Sequence, residues 1–327
     1  MKRYLNKAGG LVLGALFLAI SVSAQDPTAP AAKAKLKPVK NTFQSVWIAD
    51  NQTVMVPVKK TFEMDIQHRF GTWKNGYSDF WGFFAPSNIR IGFSYVPVNK
   101  LNVGLGFTKT TAAVIPYSTT SSVAGPMWDG SLKYSLITQT KGKYPVSVSY
   151  YVNVAYNTKK DPNKEVYRYT SDRLSYFHQL LIARKITEKL SIQVAPSLSH
   201  HNVVNGYFVK VNDSTLRVEK SMKNEHFAVA VSARYKLTTV TSIMFNYDQP
   251  ITRHATSNPN PNLSLGLEFN TSSHSFQIFF SNYYYLNPSI NNMFNSNSPF
   301  KYTDVAGTNV EGGKFLIGFN ITRLWNY

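Results

Sequence analysis

The chain has 327 residues, of which 43% are hydrophobic and 14% aromatic, and its 35 lysines and arginines against 17 acidic residues give a formal net charge of +18. This length allows one large all-β unit or two small domains, and the absence of cysteine excludes disulfides and a lipoprotein anchor. For an exported chain, the basic excess favours anionic lipid headgroups or anionic solutes over nucleic acid as partners.

The first 24 residues have the pattern of a secretory signal peptide. A basic start, with Lys2, Arg3 and Lys7, precedes an apolar run from Leu11 to Ser21. Small residues at positions 22–24 then form a cleavage motif. The apolar run is too short to span a bilayer comfortably, so cleavage is favoured over an uncleaved anchor helix. The sequence therefore predicts an exported chain.

Two segments with no long repeating pattern follow the signal peptide. Residues 25–43 are rich in Pro, Ala and Lys, which predicts a flexible leader. Residues 44–60 predict a short periplasmic hairpin about Asp50 and Asn51, either outside the main fold or as a plug in its mouth. No later segment approaches the ~20 consecutive apolar residues of a membrane helix. If the protein is integral, it must be a closed β-barrel, because only helices and closed barrels satisfy the backbone in lipid.

The segment TFEMDIQHRF, residues 61–70, alternates between apolar and polar side chains. A period of two is that of a β-strand, whose successive side chains point to opposite faces. In a soluble sandwich the apolar face would be the core, whereas in an outer-membrane barrel it would face lipid and the charged face would line the lumen. The barrel interpretation places Phe62, Met64, Ile66 and Phe70 in lipid, and Glu63, Asp65 and Arg69 in the lumen.

Eleven further segments, continuing to the C-terminus, are predicted strands. The sixth of the twelve, residues 173–185, is ambiguous, because a helix is possible there and His178 is awkwardly placed on a strand. An even number of strands is typical of single-chain bacterial barrels. The sequence thus predicts an all-β fold, a transmembrane antiparallel barrel of about twelve strands over residues 61–327 with a short periplasmic N-terminal segment. The predicted strands are 61–70, 88–96, 101–107, 131–137, 145–156, 173–185, 190–198, 226–235, 239–247, 263–269, 274–281 and 314–327.

The connections between the predicted strands alternate between long and short. A soluble sandwich has no reason to sort its loops this way, but an outer-membrane barrel has short periplasmic turns and long external loops. The chain also ends on Trp325 and Tyr327, and a terminal aromatic residue is the common signal for the barrel-insertion machinery. We therefore predict a location in the outer membrane of a Gram-negative bacterium, with membrane lipid and the insertion machinery as partners. The long connections are 71–87, 108–127, 157–172, 200–224, 248–262 and 283–313, and the short ones are 97–99, 141–143, 187–189, 236–238 and 270–273.

The candidate functional residues are the charged residues at inward positions. They would either select ions or solutes in an open lumen or form a closed salt-bridge network that fills a narrow one. A barrel of about twelve strands lies between the filled eight-stranded type and the open sixteen-stranded type, so both alternatives stay open. The aromatic cluster Tyr283–Tyr285 predicts an interfacial girdle. The alternatives are that it binds a sugar or that it folds inward and constricts the lumen. The candidate lumen-lining residues are Glu63, Asp65, Arg69, Arg90, Lys133, Arg234 and Glu268.

Motifs for catalysis, metals and cofactors do not stand out in the sequence. The seven histidines lack the HExxH spacing, and no GxxxxGK[ST] loop occurs. His200 and His201 are predicted to be solvated histidines at the rim. With Ser199 and Asn202 they suggest an outer-membrane lipase, but neighbours on a strand point to opposite faces and cannot form a catalytic set by themselves. We therefore predict no enzyme activity, no metal and no cofactor.

Several blocks of the sequence resemble a family of uncharacterised β-barrels from Bacteroidetes-type bacteria, known as a domain of unknown function. The resemblance runs from about residue 44 to the C-terminus and implies an outer-membrane barrel. It brings no known activity, substrate or catalytic residue. The blocks are TFEMDIQHRFG, SNIRIGFSYVPVNKLNVGLGF, LSYFHQLLIARKITEKLSIQVAPSLSHHN, HSFQIFFSN and FLIGFNITR.

The leading functional hypothesis is a passive channel for small, anionic solutes, motivated by the basic charge and the polar inward faces. The alternative is a non-conducting barrel that serves as a scaffold or assembly partner in the envelope, motivated by the leader and the N-terminal hairpin. An outer-membrane hydrolase is a distant third hypothesis.

Overall fold

A computed structural model gives the structure of the chain and describes residues 36–110, 126–164, 166–204, 206–212, 215–256, 258–303, 307 and 309–327. The chain divides into two compact units, Met1–Leu36 and Lys37–Tyr327. The predicted signal peptide and most of the predicted leader lie outside the described residues. All strands and helices of the described residues belong to the second unit.

The described residues form eighteen strands, one short α-helix and two short 3₁₀ segments. The helix is α1 (Pro288–Phe294), and the 3₁₀ segments are Trp73–Asp79 and Thr170–Arg173. The strands are β1 (Trp47–Ile48), β2 (Asn51–Gln52), β3 (Thr61–Thr72), β4 (Asn88–Val98), β5 (Leu101–Thr110), β6 (Met127–Ile137), β7 (Ser147–Asn157), β8 (Leu174–Lys185), β9 (Leu190–His201), β10 (Gly206–Asn212), β11 (Thr215–Lys220), β12 (Glu225–Lys236), β13 (Thr241–Pro250), β14 (Asn262–Asn270), β15 (His274–Ser281), β16 (Tyr302–Thr303), β17 (Asn309–Val310) and β18 (Leu316–Asn326).

Twelve of these strands form a closed antiparallel barrel. Their order is β3 to β9, then β12 to β15, then β18, which pairs with β3 and closes the ring. The other six strands form three separate hairpins, β1–β2, β10–β11 and β16–β17. Closure leaves no strand edge unpaired, which is the condition for a sheet to lie in lipid. The predicted fold class and strand number are confirmed.

The alternation that predicted the strands appears in the structure as alternating burial. Along β3, residues at odd positions from Thr61 to Gly71 are buried and those at even positions are half-buried. The helix alternative for the sixth segment is wrong, because Leu174–Lys185 is β8 and alternates in the same way. His178 lies on the outer face of β8, where its Nδ1 atom is 2.7 Å from the hydroxyl of Tyr150 on the neighbouring strand. A hydrogen-bond partner therefore explains a histidine that the pattern alone could not place.

The strand connections alternate as predicted, and this gives the barrel two different ends. No helix in the described part of the chain is long and apolar enough to cross a membrane. The short connections, which define the short-turn end, are 99–100, 138–146, 186–189, 237–240 and 271–273. The long connections, which define the long-loop end, are 73–87, 111–126, 158–173, 202–224, 251–261 and 282–315.

Candidate functional site

The barrel lumen is the candidate functional site, because the predicted charged residues converge there. The outward positions of the strands are apolar, and the buried inward positions are mostly polar. The candidate residues all occupy inward, buried positions: Glu63, Asp65 and Arg69 on β3, Arg90 on β4, Lys133 on β6, Arg234 on β12 and Glu268 on β14.

One cluster is centred on Arg90. Its guanidinium donates to Asp65 at 2.7 Å and to both carboxylate oxygens of Asp129 at 2.8 and 3.0 Å. All three side chains are at least 94% buried. Asp129 was missed because the sequence reading began the strand at Ser131, although Trp128 and Leu132 alternate with Asp129 and Lys133. The three groups form a desolvated but fully paired ion cluster.

A second cluster lies nearer the short-turn end, around Arg234. Its Nε atom donates to Glu268 at 2.6 Å, and a further nitrogen donates to Gln44 of the N-terminal segment. Glu268 also accepts from Asn270 at 2.6 Å and from Gln277 at 3.0 Å. This cluster therefore ties the wall to the chain that enters the lumen.

Arg69 is the exception, because no salt bridge joins its guanidinium to a carboxylate among the described residues. It is fully buried, donates to Asn320 at 3.0 Å, and lies 4.7 Å from the centre of the Phe279 ring. Its Nε and Nη2 atoms find no hydrogen-bond acceptor in the described part of the chain. The guanidinium carbon also lies 5.8 Å from the centre of the Tyr283 ring, which belongs to the last long loop.

The wall of the described lumen is not basic. Five buried carboxylates, Glu63, Asp65, Asp129, Asp248 and Glu268, face four buried cations, Arg69, Arg90, Lys133 and Arg234. The balance is 4 − 5 = −1. The basic excess of the sequence therefore lies elsewhere, and it does not support the anion preference that the net charge suggested.

The N-terminal segment fills the lumen from the short-turn end. Residues 43–54, which we call the plug, are almost entirely buried, and β1 and β2 form a tight hairpin whose tip is Ala49 and Asp50. Wall side chains bond to the plug backbone as a neighbouring strand would. The contacts are Gln277 with the Trp47 carbonyl (2.7 Å) and the Ala49 amide (3.2 Å), Asn320 with the Ala49 carbonyl (2.6 Å), Gln193 with the Gln52 carbonyl (2.8 Å) and the Val54 amide (3.0 Å), Ser149 with the Val54 carbonyl (2.9 Å), and Lys133 with the Thr53 carbonyl (3.3 Å).

The plug tip carries a carboxylate into the middle of the lumen. Asp50 accepts from Asn291 at 3.1 Å and from Asn246 at 3.4 Å. Burial raises the pKa of the Asp50 carboxyl, and the charge of Arg69 opposes that rise. Next to it, Asn51 donates to Asp248 at 2.8 Å and accepts from Gln179 at 2.9 Å. The tip is thus held by polar contacts on several sides.

The last long loop fills the lumen from the opposite end. All seven residues of α1 are buried. Its N-cap residue, Asn287, accepts from the Ser289 amide at 3.0 Å and donates to Asn153 of the wall at 3.1 Å. Asn291 of α1 is the residue that contacts Asp50, so the two occluding segments meet inside the barrel.

Two expectations about this end are wrong. His201 is not a solvated rim residue, since it is 7% exposed and its Nε2 atom lies 2.8 Å from the Ser289 hydroxyl of α1. Tyr283 and Tyr285 are not girdle residues and instead match the alternative of an inward, constricting role, since they are 0% and 8% exposed and fold inward with the loop. The sequence carried no signal for this inward fold, because it depends on contacts between residues far apart in the chain.

In the middle of the lumen, the described cavity between plug and wall is small. A cavity of about 20 Å³ beside Trp47, Glu63 and Lys133 has room for about one water molecule. Larger cavities occur towards the ends of the barrel. One of about 490 Å³ lies beside Gln44, Met55 and Asn270, and one of about 290 Å³ lies beside Thr72, Tyr284 and Lys314.

The residues suggested for a lipase do not assemble into a hydrolytic site. Ser199 and His201 point into the lumen, whereas His200 points outward and contacts Glu225 and Asn202. His201 contacts the hydroxyl of Ser289, a residue of α1, and both side chains are buried inside the lumen. No group of three or more metal-ligating side chains occurs in the part of the chain that the structure describes.

Comparison with known proteins gives a family and a set of distant structural likenesses. The family model described as "Membrane bound beta barrel domain (DUF5777)" matches residues 43–325. No curated protein matches the chain. Three solved structures are similar only distantly: the KdgM porin (8% identity, TM-score 0.42, 81% of this chain and 99% of that one), the COG4313 outer membrane channel from Pseudomonas putida F1 (13%, 0.39, 83% and 97%) and the Ralstonia pickettii toluene transporter TbuX (8%, 0.37, 84% and 91%). Similarity at this level does not indicate a shared solute.

Proposed function

The chain belongs to the DUF5777 family of membrane-bound β-barrel domains, and we propose that it is a passive channel for small polar solutes that its own plug and α1 hold closed. It is an outer-membrane β-barrel of a Gram-negative bacterium. By the usual arrangement of such barrels, the short-turn end faces the periplasm and the long-loop end faces outward.

The polar character of the contact between plug and wall carries this proposal. Gln193, Gln277 and Asn320 bond to plug backbone through amide groups that water could satisfy equally well. Such contacts have a small net free energy in each case, because folding exchanges protein–water bonds for protein–protein bonds. A wall that bonds to its plug in this way keeps a hydrophilic path when the plug leaves.

The route of release also favours a reversible closure. Both ends of the plug hairpin lie towards the short-turn end, where Gln44 contacts Arg234 and Thr61 begins β3. The hairpin can therefore withdraw into the periplasm without threading its tip past the wall. The segment 55–60 would act as the hinge.

The balanced charges of the wall favour polar solutes without a strong preference for anions. The wall carbonyls, amides and paired ions offer both donors and acceptors, and the net wall charge is −1 by the count above. We propose no catalytic role, since the His201–Ser289 contact lies buried where α1 fills the lumen.

The second candidate function is a non-conducting barrel that acts as an envelope scaffold. The occupation of the described lumen from both ends favours it, because the plug and α1 meet at Asp50 and Asn291. Under this alternative, the filling stabilises the wall and is never released.

Conductance of refolded barrels in a planar bilayer separates the two candidates. The mature chain is compared with a deletion of residues 25–58, with a replacement of residues 288–294 by a Gly-Ser linker, and with both changes together. We expect the mature chain to be almost silent, each single change to give intermittent openings, and the double change to give steady openings.

The matched control removes residues 206–220, the β10–β11 hairpin, which lies in a long loop away from the plug contacts. It should remain as silent as the mature chain. If the doubly changed barrel folds, as shown by heat-modifiable gel mobility, and is still silent, the channel proposal is wrong and the scaffold takes its place.

A further inference from the structure

The first long loop carries a cluster of exposed aromatic side chains that the lumen does not use. Residues 73–84, which we call the aromatic loop, begin with the 3₁₀ segment directly after β3. Tyr77 and Phe84 are 80% and 83% exposed. The other exposed aromatic side chains of the loop are Trp73, Phe80, Trp81 and Phe83. So much apolar surface in one short loop marks an interaction site.

The aromatic loop lies against the outer wall of the barrel. The Phe83 ring lies 4.7 Å from that of Phe70, an outward-facing residue of β3. The Trp73 ring lies 5.0 Å from that of Phe280, an outward-facing and 47% exposed residue of β15. The loop is therefore continuous with the surface that faces lipid, which is the interface established by the barrel itself.

A close backbone contact holds the loop in this position. The Gly71 amide donates to the Gly82 carbonyl at 3.0 Å, and a Cβ atom on Gly82 would collide with the Gly71 carbonyl. Gly82 has a φ of +84°, and the two residues before it, Phe80 and Trp81, have φ values of 50° and 53°. Bulky residues rarely adopt such angles. The loop therefore accepts strain at two aromatic residues while their rings stay on the surface.

The polar groups of the loop are already satisfied within the protein. Asp79 accepts from Asn75 and from the Gly82 amide, both at 2.9 Å, and Lys74 pairs with Glu311 at 3.0 Å. What the loop offers to its surroundings is thus aromatic surface with a few polar edges, the indole N–H groups and the Tyr77 hydroxyl. Tryptophan and tyrosine prefer this setting at the membrane–water interface.

We propose that the aromatic loop is a lipid anchor, which inserts its exposed rings into the interface of the outer leaflet beside β3 and β15. The continuity of Phe83 and Trp73 with the lipid-facing wall selects lipid over a protein partner. The inference does not depend on whether the lumen conducts.

Spin labelling tests the proposal directly, because the chain has no cysteine of its own. A nitroxide is attached to the single-cysteine variant Phe84→Cys of the mature chain, refolded into phosphatidylcholine vesicles. The matched control is Tyr169→Cys, an aromatic residue of another long loop that is 67% exposed. Collision rates are measured with oxygen, which concentrates in lipid, and with a water-soluble nickel chelate.

We expect oxygen to dominate at position 84 and the nickel chelate to dominate at position 169. Equal, water-like collision rates at both positions overturn the proposal and indicate that a protein partner, or only water, covers the loop. Because the label replaces one ring, a second measurement leaves the loop intact. In a Trp47→Phe, Trp128→Phe, Trp325→Phe background, which leaves Trp73 and Trp81 as the tryptophans of the chain, brominated lipid should quench their emission, and the absence of quenching also overturns the proposal.

Discussion

At the scale of single residues, the lumen buries two clusters of opposite charges. Arg90 is shared by Asp65 and Asp129, and Arg234 is paired with Glu268, so each ion of these two clusters has an opposite charge beside it. Desolvation of each ion is costly, and only good geometry offsets it. The consequence is that loss of one partner should cost far more than the pair contributes.

Arg90→Met tests this expectation. The substitution keeps the aliphatic bulk but leaves Asp65 and Asp129 buried beside each other, so we expect a loss of roughly 3–5 kcal/mol in the free energy of unfolding. Urea unfolding of the barrel in detergent micelles measures it. Lys74→Met, which removes only an exposed ion pair with Glu311, is the control and should leave the free energy nearly unchanged. A small effect of Arg90→Met would mean that the cluster is hydrated.

Asp50 should make plug docking dependent on pH. Burial raises its pKa in the docked plug above the ordinary value of 3.8, with Arg69, Tyr283 and Asn291 opposing the rise, and the carboxylate of Asp248 also lies close to the plug tip. The docked state therefore holds the proton more tightly than the released state. Protonated Asp50 therefore stabilises the docked plug. This stabilisation is fully present below the ordinary pKa of the carboxyl and is lost as the pH rises through its raised pKa in the docked plug.

We expect a thiol introduced in the plug by Val54→Cys to react faster with a bulky reagent as the pH increases. The intrinsic rise in thiol reactivity is removed by comparison with the same thiol in an Asp50→Asn background at each pH. The ratio of the two rates should rise with pH. A constant ratio would show that Asp50 does not control docking.

At the scale of elements, the twelve strands could be predicted because each carries its own signal. Alternation over a strand such as Thr61–Thr72 is local, and the order of long and short connections is readable along the chain. The inward fold of α1 and the burial of the plug could not be predicted. They rest on contacts such as Asn51 with Asp248 and Asn291 with Asp50, whose partners are 197 and 241 residues apart.

The same limit applied within the candidate site. Glu63, Asp65 and Arg69 could be assigned to the inward face because a strict alternation surrounds them. Asp129 lies within the same kind of alternation, but Gly130 follows it and the predicted strand begins at Ser131, so the prediction leaves Asp129 out. The local alternation thus predicts the strands of the barrel wall. The segments that fill the lumen cannot be predicted in this way, because their positions depend on tertiary contacts.

The aromatic loop offers a test of packing at the element scale. Gly82→Ala places a methyl group against the Gly71 carbonyl and should release the loop, whereas Gly76→Ala meets no neighbouring atom. Both glycines have positive φ, so each alanine also adds local backbone strain. We expect chymotrypsin to cleave the loop of Gly82→Ala much faster than that of Gly76→Ala. Equal cleavage would mean that the Gly71–Gly82 contact does not hold the loop.

At the scale of the whole molecule, the basic excess lies outside the lumen. The short-turn end carries exposed lysines, while the wall of the lumen is close to neutral. Lys100, Lys141, Lys143 and Lys189 lie in the short turns, where Glu188 is the acidic residue, and Lys59 and Lys60 lie in the segment just before β3. The basic net charge of the chain therefore does not predict the ion selectivity of the lumen, because the exposed lysines lie at the short-turn end.

Ion selectivity of an opened barrel should follow that division. With the plug and α1 removed, the exposed lysines can attract anions at low salt, but at about 1 M salt the Debye length falls to ~3 Å and screens them. We expect the reversal potential in a salt gradient to favour anions at low ionic strength and to approach zero at high ionic strength. Strong anion selectivity at high salt would contradict this expectation and would mean that basic residues inside the lumen determine the selectivity.

The most direct test of the plug as a removable closure is a reversible cross-link between plug and wall. Val54→Cys and Ser149→Cys place two thiols at residues whose contact now joins the Ser149 hydroxyl to the Val54 carbonyl at 2.9 Å. A short bis-methanethiosulfonate reagent, which forms a reducible disulfide with each thiol and releases methanesulfinate, would link them, and a control pair, Ser149→Cys with Leu181→Cys, would link two wall strands and leave the plug free. Single-channel recordings should show rare openings that disappear when the plug is linked, return on reduction and persist in the control pair. Openings that continue while the plug is linked would contradict the plug as the gate of this barrel.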